Sequence, residues 1–235
     1  LVECQGVQFS FFGSSTNDYQ SISLDNLETF SSLSTNYHDP SKRNVIYVHG
    51  WNDNVTHEGP VTMMGAYLNR KSEYNAILLD WTEVACTSFF FDIPWDISSV
   101  TSDAVDILDE IKNNGFNISN THIIGYSFGS VISGNIGRFF KKSRGIRVPR
   151  ITGLDPPYGY GYFEPLFLIG VLDRLSRGDA AFVDIIHTNA GGVGDEKARG
   201  HIDFWPNGGS DQPNCDIVTF SAFQCELNFE NSCFL

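Results

Sequence analysis

Long apolar runs are missing from this chain of 235 residues, and so is any excess of basic charge. No stretch approaches the roughly 18 apolar residues that a membrane-spanning helix needs, so we expect no transmembrane segment. The 15 Lys and Arg residues are outnumbered by 28 Asp and Glu residues, which gives a formal net charge of −13. The largest basic cluster is the short run from Lys141 to Arg144. We therefore expect neither nucleic acid nor an anionic membrane surface as an electrostatic partner.

Cysteine occurs five times but never in a C-x-x-C pair, the spacing typical of zinc sites. We therefore expect no metal and no other cofactor. Two disulfides and one remaining thiol, in a secreted and oxidised protein, are the better interpretation. The chain begins with Leu1 rather than Met, which suggests a processed N-terminus. Two N-x-S/T sequons predict glycosylation at Asn54 and Asn117 in the secretory pathway, although such triplets also arise by chance.

Short strand-like runs alternate with helical patterns along the chain. The strand-like runs cover residues 45–48, 76–81, 122–125, 150–155 and 182–187. Apolar residues recur at helical spacing over residues 98–113 and again after Ser127. This alternation predicts an α/β fold, a single domain over residues 1–235 with a mostly parallel central sheet and helices on both faces. In such sheets the chemistry lies at the carboxyl ends of the strands.

One such strand end carries the sequence Gly125-Tyr126-Ser127-Phe128-Gly129. The G-x-S-x-G spacing, between an apolar strand and a helical stripe, is typical of a nucleophile elbow. Ser127 is therefore the candidate nucleophile, unless it is only a small residue that the turn requires. The backbone amides of Trp51 and Phe128 are candidates for the oxyanion hole, because both follow strand ends. Asp155 follows the next strand in the chain order expected of a catalytic triad, or it merely caps loop amides.

Five segments carry a family resemblance: "VIYVHGWNDN", "HIIGYSFGS", "RITGLDP", "RLSRGDAAFVDIIHT" and "GHIDFWPNGG". In this order they resemble the pancreatic-lipase family, especially its insect members and the wasp-venom phospholipases A1. The resemblance implies an α/β-hydrolase fold, a lipid or ester-like small molecule as partner, and triad roles for Ser127 and Asp155. It also implies disulfides that pair Cys4 with Cys86 and Cys215 with Cys225. Cys233 is then left over, free or linking two chains in a homodimer.

The family places its catalytic histidine two residues after a cysteine, and here that position is Leu227 in "FQCELNF". No histidine occurs after His201. Among the six histidines, His201 is the best candidate to replace the missing base, and His38 and His57 lie in polar sequence that predicts solvated rings. Glu226 and Glu230 are further candidates, but a carboxylate with an ordinary pKa near ~4.3 is a poor base for a hydroxyl.

Two functional interpretations follow. The leading one is a secreted, catalytically impaired lipase-like protein that binds or stores a lipid or another small molecule, since fold does not fix function. The alternative is an active phospholipase A1 or carboxylic ester hydrolase that uses Ser127 as nucleophile with an unrecognised base. The retention of Ser127 and Asp155 favours the alternative, and Leu227 favours the leading interpretation.

Overall fold

The structure, a computed structural model, describes residues 6–87, 93–158 and 173–213. Its strands are β1 (Gln8–Phe12), β2 (Tyr19–Ser23), β3 (Arg43–Val48), β4 (Tyr74–Asp80), β5 (Thr121–Tyr126), β6 (Arg150–Leu154), β7 (Phe182–Ile186) and β8 (Ile202–Phe204). Its α-helices are α1 (Glu58–Leu68), α2 (Thr82–Thr87), α3 (Ile93–Asn113) and α4 (Phe128–Phe139). Short helical segments of other types cover Leu27–Ser32, Ile118–Asn120, Phe140–Arg144 and Pro206–Gly208.

The strands of the described ranges form one sheet in the order β2-β1-β4-β3-β5-β6-β7-β8. β1 is antiparallel to both of its neighbours, and the pairs from β4 to β8 are all parallel. The predicted α/β-hydrolase fold, with its mostly parallel central sheet, is confirmed. All five predicted strands and both predicted helical stretches are present, whereas β1, β2, β8, α1 and α2 were not identified from the sequence. The extent of the domain, residues 1–235, stays a prediction.

Alternate residues of the central strands enter two hydrophobic cores, one on each face of the sheet. Ile46 and Val48 of β3 belong to the larger core with α3 and α4, while Val45 and Tyr47 belong to a smaller core with Met64 of α1. The buried positions of α3 recur every three or four residues: Ile93, Ile97, Val100, Ala104, Leu108 and Ile111. Strands buried on both faces suit β-branched sequence, which explains why β3 and β5 can be recognised from composition. The same arrangement brings the ends of β3, β5, β6 and β7 to one edge of the sheet.

Helices in the described ranges lack the combined length and apolar character that crossing a membrane requires.

Candidate active site

Ser127 stands at a sharp turn between β5 and α4. Its backbone has φ 49° and ψ −125°, a conformation that residues other than glycine rarely adopt. The turn is fixed on both sides, because the Ser127 amide donates to the Leu154 carbonyl at 2.9 Å and the Ser127 carbonyl accepts from the Ser130 amide at 2.9 Å. Such strain costs on the order of 1–3 kcal/mol and persists only where the surroundings enforce it. The predicted strand, turn and helix around this serine are confirmed.

The two glycines of the elbow allow backbone segments to approach closely. A Cβ added to Gly129 would overlap the Val48 carbonyl oxygen and lie 2.5 Å from that of His49. A Cβ added to Gly125 would overlap the Gly129 carbonyl oxygen and lie 2.5 Å from the Ser133 hydroxyl. The G-x-S-x-G spacing is therefore a packing requirement of this turn, and it presses the loop after β3 against the first turn of α4.

That loop, His49-Gly50-Trp51, borders Ser127 directly. A Cβ on Gly50 would lie 3.3 Å from the Ser127 Cβ, and Trp51 is the next residue. His49 fixes the loop, because its Nδ1 donates to the Gly50 carbonyl at 2.9 Å and its Nε2 accepts from the Trp81 amide at 3.2 Å. Phe128 begins α4, where the positive end of the helix dipole lies. Trp51 and Phe128 therefore lie on the two segments that flank Ser127, and their role as oxyanion hole stays a prediction.

Asp155 directly follows β6 in a second strained conformation, with φ 44°. Its Oδ1 accepts from the amides of Thr188 and Asn189, both at 2.9 Å. A Cβ on Gly194 would lie 2.5 Å from the same oxygen, so the loop closes tightly over the carboxylate. Burial raises the pKa of Asp155, and the two amide hydrogen bonds oppose that rise. The side chain is thus held in one orientation beside the elbow.

The register of the sheet brings the candidate residues together. Tyr126 pairs with Leu154, and Leu154 pairs with Ile186. The next residues along these three strands are Ser127, Asp155 and His187, which therefore leave the sheet at one level. This is the strand-end site that the sequence predicts.

All six histidines lie within the described residues, and their partners can be stated ring by ring. His187 is buried with Nδ1 on the Asp195 carbonyl at 2.7 Å and Nε2 on Asp203 at 2.8 Å. His122 bonds Thr152 at 2.8 Å, and His57 bonds Asp53 at 2.7 Å. His49 belongs to the loop described above.

The candidate replacement base, His201, lies elsewhere. Its Nδ1 accepts from the Val183 amide at 3.0 Å and its ring stacks on Phe182.

The expectation of a solvated His38 is wrong, since only 8% of this residue is exposed and its ring contacts Phe11, Phe30 and Phe116. Polar neighbours in sequence misled the prediction, because the aromatic partners come from distant segments.

No hydrogen bond within residues 6–87, 93–158 and 173–213 joins a histidine ring to the Ser127 hydroxyl. Leu227, which takes the family histidine's place in the sequence, lies outside these ranges, as do Glu226 and Glu230. The described part of the site thus brings together Ser127, Asp155 and the loop of Trp51, without a histidine ring hydrogen-bonded to the serine among these residues.

The modification sites are only partly described. Asn117 is exposed and its side chain accepts from the Ser119 amide at 3.0 Å. Asn54 accepts from the Thr56 hydroxyl at 2.6 Å. Glycosylation of either asparagine stays a prediction. Cys86 is disulfide-bonded. Cys4, Cys215, Cys225 and Cys233 lie outside the described residues, so the predicted pairings remain untested.

Sequence reasoning missed the residues around His187. Asp203 and Asp195 bind its two ring nitrogens, and Trp205 stacks on the ring with centroids 3.7 Å apart. The segment "GHIDFWPNGG" contains two of them and was recognised only as a family motif. No group of three or more His, Cys, Asp or Glu side chains able to hold a metal ion occurs in the described part of the chain.

A protein-family model described as Lipase matches residues 3–226. The chain belongs to the lipase family. Lipase-family relatives include Lipase member H-A of Xenopus laevis, 31% identical over 89% of this chain, and Lipase member H of Danio rerio, 32% identical over 86%. Phospholipase A1 member A of Rattus norvegicus is 31% identical over 76% of this chain. The alignments cover 43%, 43% and 37% of these relatives, so the chain spans less than half of their length.

Solved structures with similarity to the chain include two bacterial hydrolases. A phospholipase/carboxylesterase of Dyadobacter fermentans is 13% identical, with a TM-score of 0.39 over 62% of this chain and 64% of that one. The lipase BlEst2 of Bacillus licheniformis is 16% identical, with a TM-score of 0.39 over 64% of this chain and 67% of that one.

Proposed function

We propose that this lipase-family chain is a secreted, catalytically impaired member that binds or stores a lipid or ester-like small molecule. The observation that carries the proposal is the engagement of all six histidines away from Ser127, together with Leu227 at the family's histidine position. A serine hydroxyl without an adjacent base is a poor nucleophile. Losing one triad member costs several orders of magnitude in rate, and a residual rate remains from the oxyanion hole and from binding.

An active phospholipase A1 or carboxylic ester hydrolase is the second candidate. The observation that favours it is the double strain at Ser127 and Asp155, with φ 49° and 44°. Backbone strain clusters at functional sites, because elsewhere substitution can remove it. The names of the phospholipase A1 and lipase relatives agree with ester substrates. This candidate requires a base that the described residues do not supply.

Reaction with a fluorophosphonate probe separates the two candidates. We expect slow labelling of the natural chain, no labelling of Ser127→Ala, and labelling at least about a hundredfold faster in Leu227→His. The gain arises because an imidazole with a pKa near ~6.5 is suited to act as general base at neutral pH. The gain is limited if the ring is misplaced, since ~1 Å can cost about a hundredfold. Rapid stoichiometric labelling of the natural chain, lost in Ser127→Ala and unchanged in Leu227→His, would establish the second candidate.

The binding role has its own test. A dialkyl ether phospholipid has no ester to cleave, so its binding is measured independently of hydrolysis. We expect tryptophan fluorescence to be quenched in a saturable manner as the lipid is added. The amplitude of this quenching should be smaller in Trp51→Phe, because Trp51 borders the elbow and reports on a lipid bound there. Absence of saturable binding would rule out a lipid-binding role. Size-exclusion chromatography with and without reductant tests the proposed homodimer through Cys233.

A further inference from the structure

His187 differs from the other fully buried histidine, His49, in what its two ring nitrogens face. In His49, Nδ1 faces a carbonyl while Nε2 faces the Trp81 amide at 3.2 Å, with the Asp80 carboxylate farther away at 3.7 Å. That pattern suits a neutral ring with one proton. In His187, Nδ1 faces the Asp195 carbonyl at 2.7 Å and Nε2 faces an Asp203 oxygen at 2.8 Å. A carbonyl only accepts, and a carboxylate only accepts, so both nitrogens of His187 must donate.

The proton between His187 and Asp203 belongs to the ring, because the carboxylate accepts other hydrogen bonds. Asp203 Oδ1 also accepts from the Arg199 amide at 3.1 Å, and Oδ2 accepts from the Gly200 amide at 2.9 Å. A carboxylate that accepts several amide hydrogen bonds favours its ionised form. Trp205 lies parallel to the ring at 3.7 Å, and an aromatic face attracts a cation.

Apart from Asp203, the charged side chains near the ring are three cations and two carboxylates, so they carry a net positive charge that opposes a proton on His187. The charged side chains that share its surroundings are Arg174, Asp195, Lys197, Arg199, Asp203 and Asp155. The Asp195 carboxylate pairs with Arg199 and lies 3.9 Å from the Arg174 Nε. Asp203 is the carboxylate in direct contact with the ring, and its hydrogen bond to Nε2 is the contact that favours a charged His187 over these cations.

His187 is also coupled to Asp155 through the backbone on both sides of it. The preceding carbonyl, of Ile186, accepts from the Asp155 amide at 2.8 Å. The following amides, of Thr188 and Asn189, donate to the Asp155 carboxylate. A positive charge on His187 opposes the rise in the Asp155 pKa that burial causes.

We infer that His187 is a buried imidazolium, held by Asp203, the Asp195 carbonyl and Trp205, which positions Asp155 and keeps its carboxylate ionised. His187 is a positioning residue, since it acts through the loop that binds Asp155. The inference concerns the same site as the proposed function and extends it. Its test requires no turnover, so either one can fail while the other stands.

The test is nuclear magnetic resonance of the full chain with ¹⁵N-labelled histidine and ¹³C-labelled aspartate carboxyls. His187→Gln and Asp155→Asn identify the relevant signals. We expect both ring nitrogens of His187 to carry protons at pH 7 and pH 8, and only one nitrogen of His49. In Asp203→Asn we expect a single proton on the His187 ring at pH 8, and the Asp155 titration midpoint to move to higher pH.

Asp184→Asn is the matched control, because the Asp184 side chain on β7 is 4% exposed, close to the 6% of the Asp203 side chain, but pairs with Arg150 at 2.6 Å, away from the loop. It should leave the signals of His187 and Asp155 in place. A singly protonated His187 in the natural chain would overturn the inference, and that measurement needs no variant to fold. An unchanged Asp155 midpoint in both Asp203→Asn and His187→Gln would equally overturn the positioning role.

Discussion

Acid should lower the free energy of unfolding of this protein, in part through His122. Replacing His122 should remove that part of the pH dependence. The ring lies on β5 with Nε2 2.8 Å from the Thr152 hydroxyl, which itself donates to Asp184 at 2.9 Å. Burial, reinforced by the positive charge of Arg150, lowers the pKa of His122 from 6.5 to about 4. The neutral ring is therefore the form that the folded protein accommodates.

The size of this loss of stability follows from the pKa of His122 in the unfolded and the folded chain, 6.5 and about 4. Above pH 6.5 neither the folded nor the unfolded state holds the proton, so His122 imposes no penalty there. Between pH 6.5 and 4 the unfolded chain binds a proton that the folded chain does not, so the free energy of unfolding falls as the pH falls. A difference between 6.5 and about 4 corresponds to about 3 kcal/mol, at about 1.4 kcal/mol per unit.

His122→Gln is the comparison, because its amide can still donate to the Thr152 hydroxyl but does not titrate. Urea denaturation at intervals from pH 7.5 to 4 gives the free energy of unfolding of both proteins. The stability of the natural chain relative to His122→Gln should fall by about 3 kcal/mol across this window. Groups that titrate in the same way in both proteins contribute equally to the two pH profiles, so their contributions cancel in the difference. Parallel pH profiles would refute the assignment of a lowered pKa to this buried ring.

Two further predictions concern packing and disulfides. Gly129→Ala should destabilise the protein by about 1–3 kcal/mol or more, because its Cβ meets backbone oxygens that cannot move aside. Gly65→Ala, in α1 with nothing within 4 Å of the added atom, should instead raise stability by up to about 1 kcal/mol, and equal effects in thermal denaturation would contradict the packing argument. Non-reducing peptide mapping should show Cys4 linked to Cys86 and Cys215 to Cys225, and a link from Cys4 to Cys215, Cys225 or Cys233 would break the family alignment.

The elements that could be predicted from sequence are those whose signal is local. β3, β4 and β5 are buried on both faces and appear as apolar runs, and the elbow has glycines at fixed offsets from Ser127. β1 was not identified, and its antiparallel pairing with β4 joins residues 66 to 72 positions apart, from Phe11 with Ile77 to Gln8 with Asp80. β8 is only three residues long, too short for a periodic pattern.

The residues of the candidate site also fall into two groups, those with a local sequence signal and those without one. Ser127 and Asp155 could be named from motifs, since each is one residue beyond a strand. The two hydrogen bonds that hold the Asp155 carboxylate could not be predicted, because they come from the backbone amides of Thr188 and Asn189. Residues of any type have such amides. The environment of His187 likewise depends on Asp195 and Asp203, whose relation to the ring arises only when β7 and β8 are paired.

The order of strands in the sheet also determines how the chain can fold during synthesis. β3 lies between β4 and β5, and its contact with β5 joins Asn44 to Thr121, 77 positions apart. On a ribosome, which extends the chain from its N-terminus, β3 therefore has one unpaired edge until β5 has emerged. Contacts over such sequence separations form slowly, because the loop between them must close first. The nascent chain thus exposes an apolar strand edge over tens of residues of synthesis, the stage at which it is most open to aggregation and to capture by chaperones.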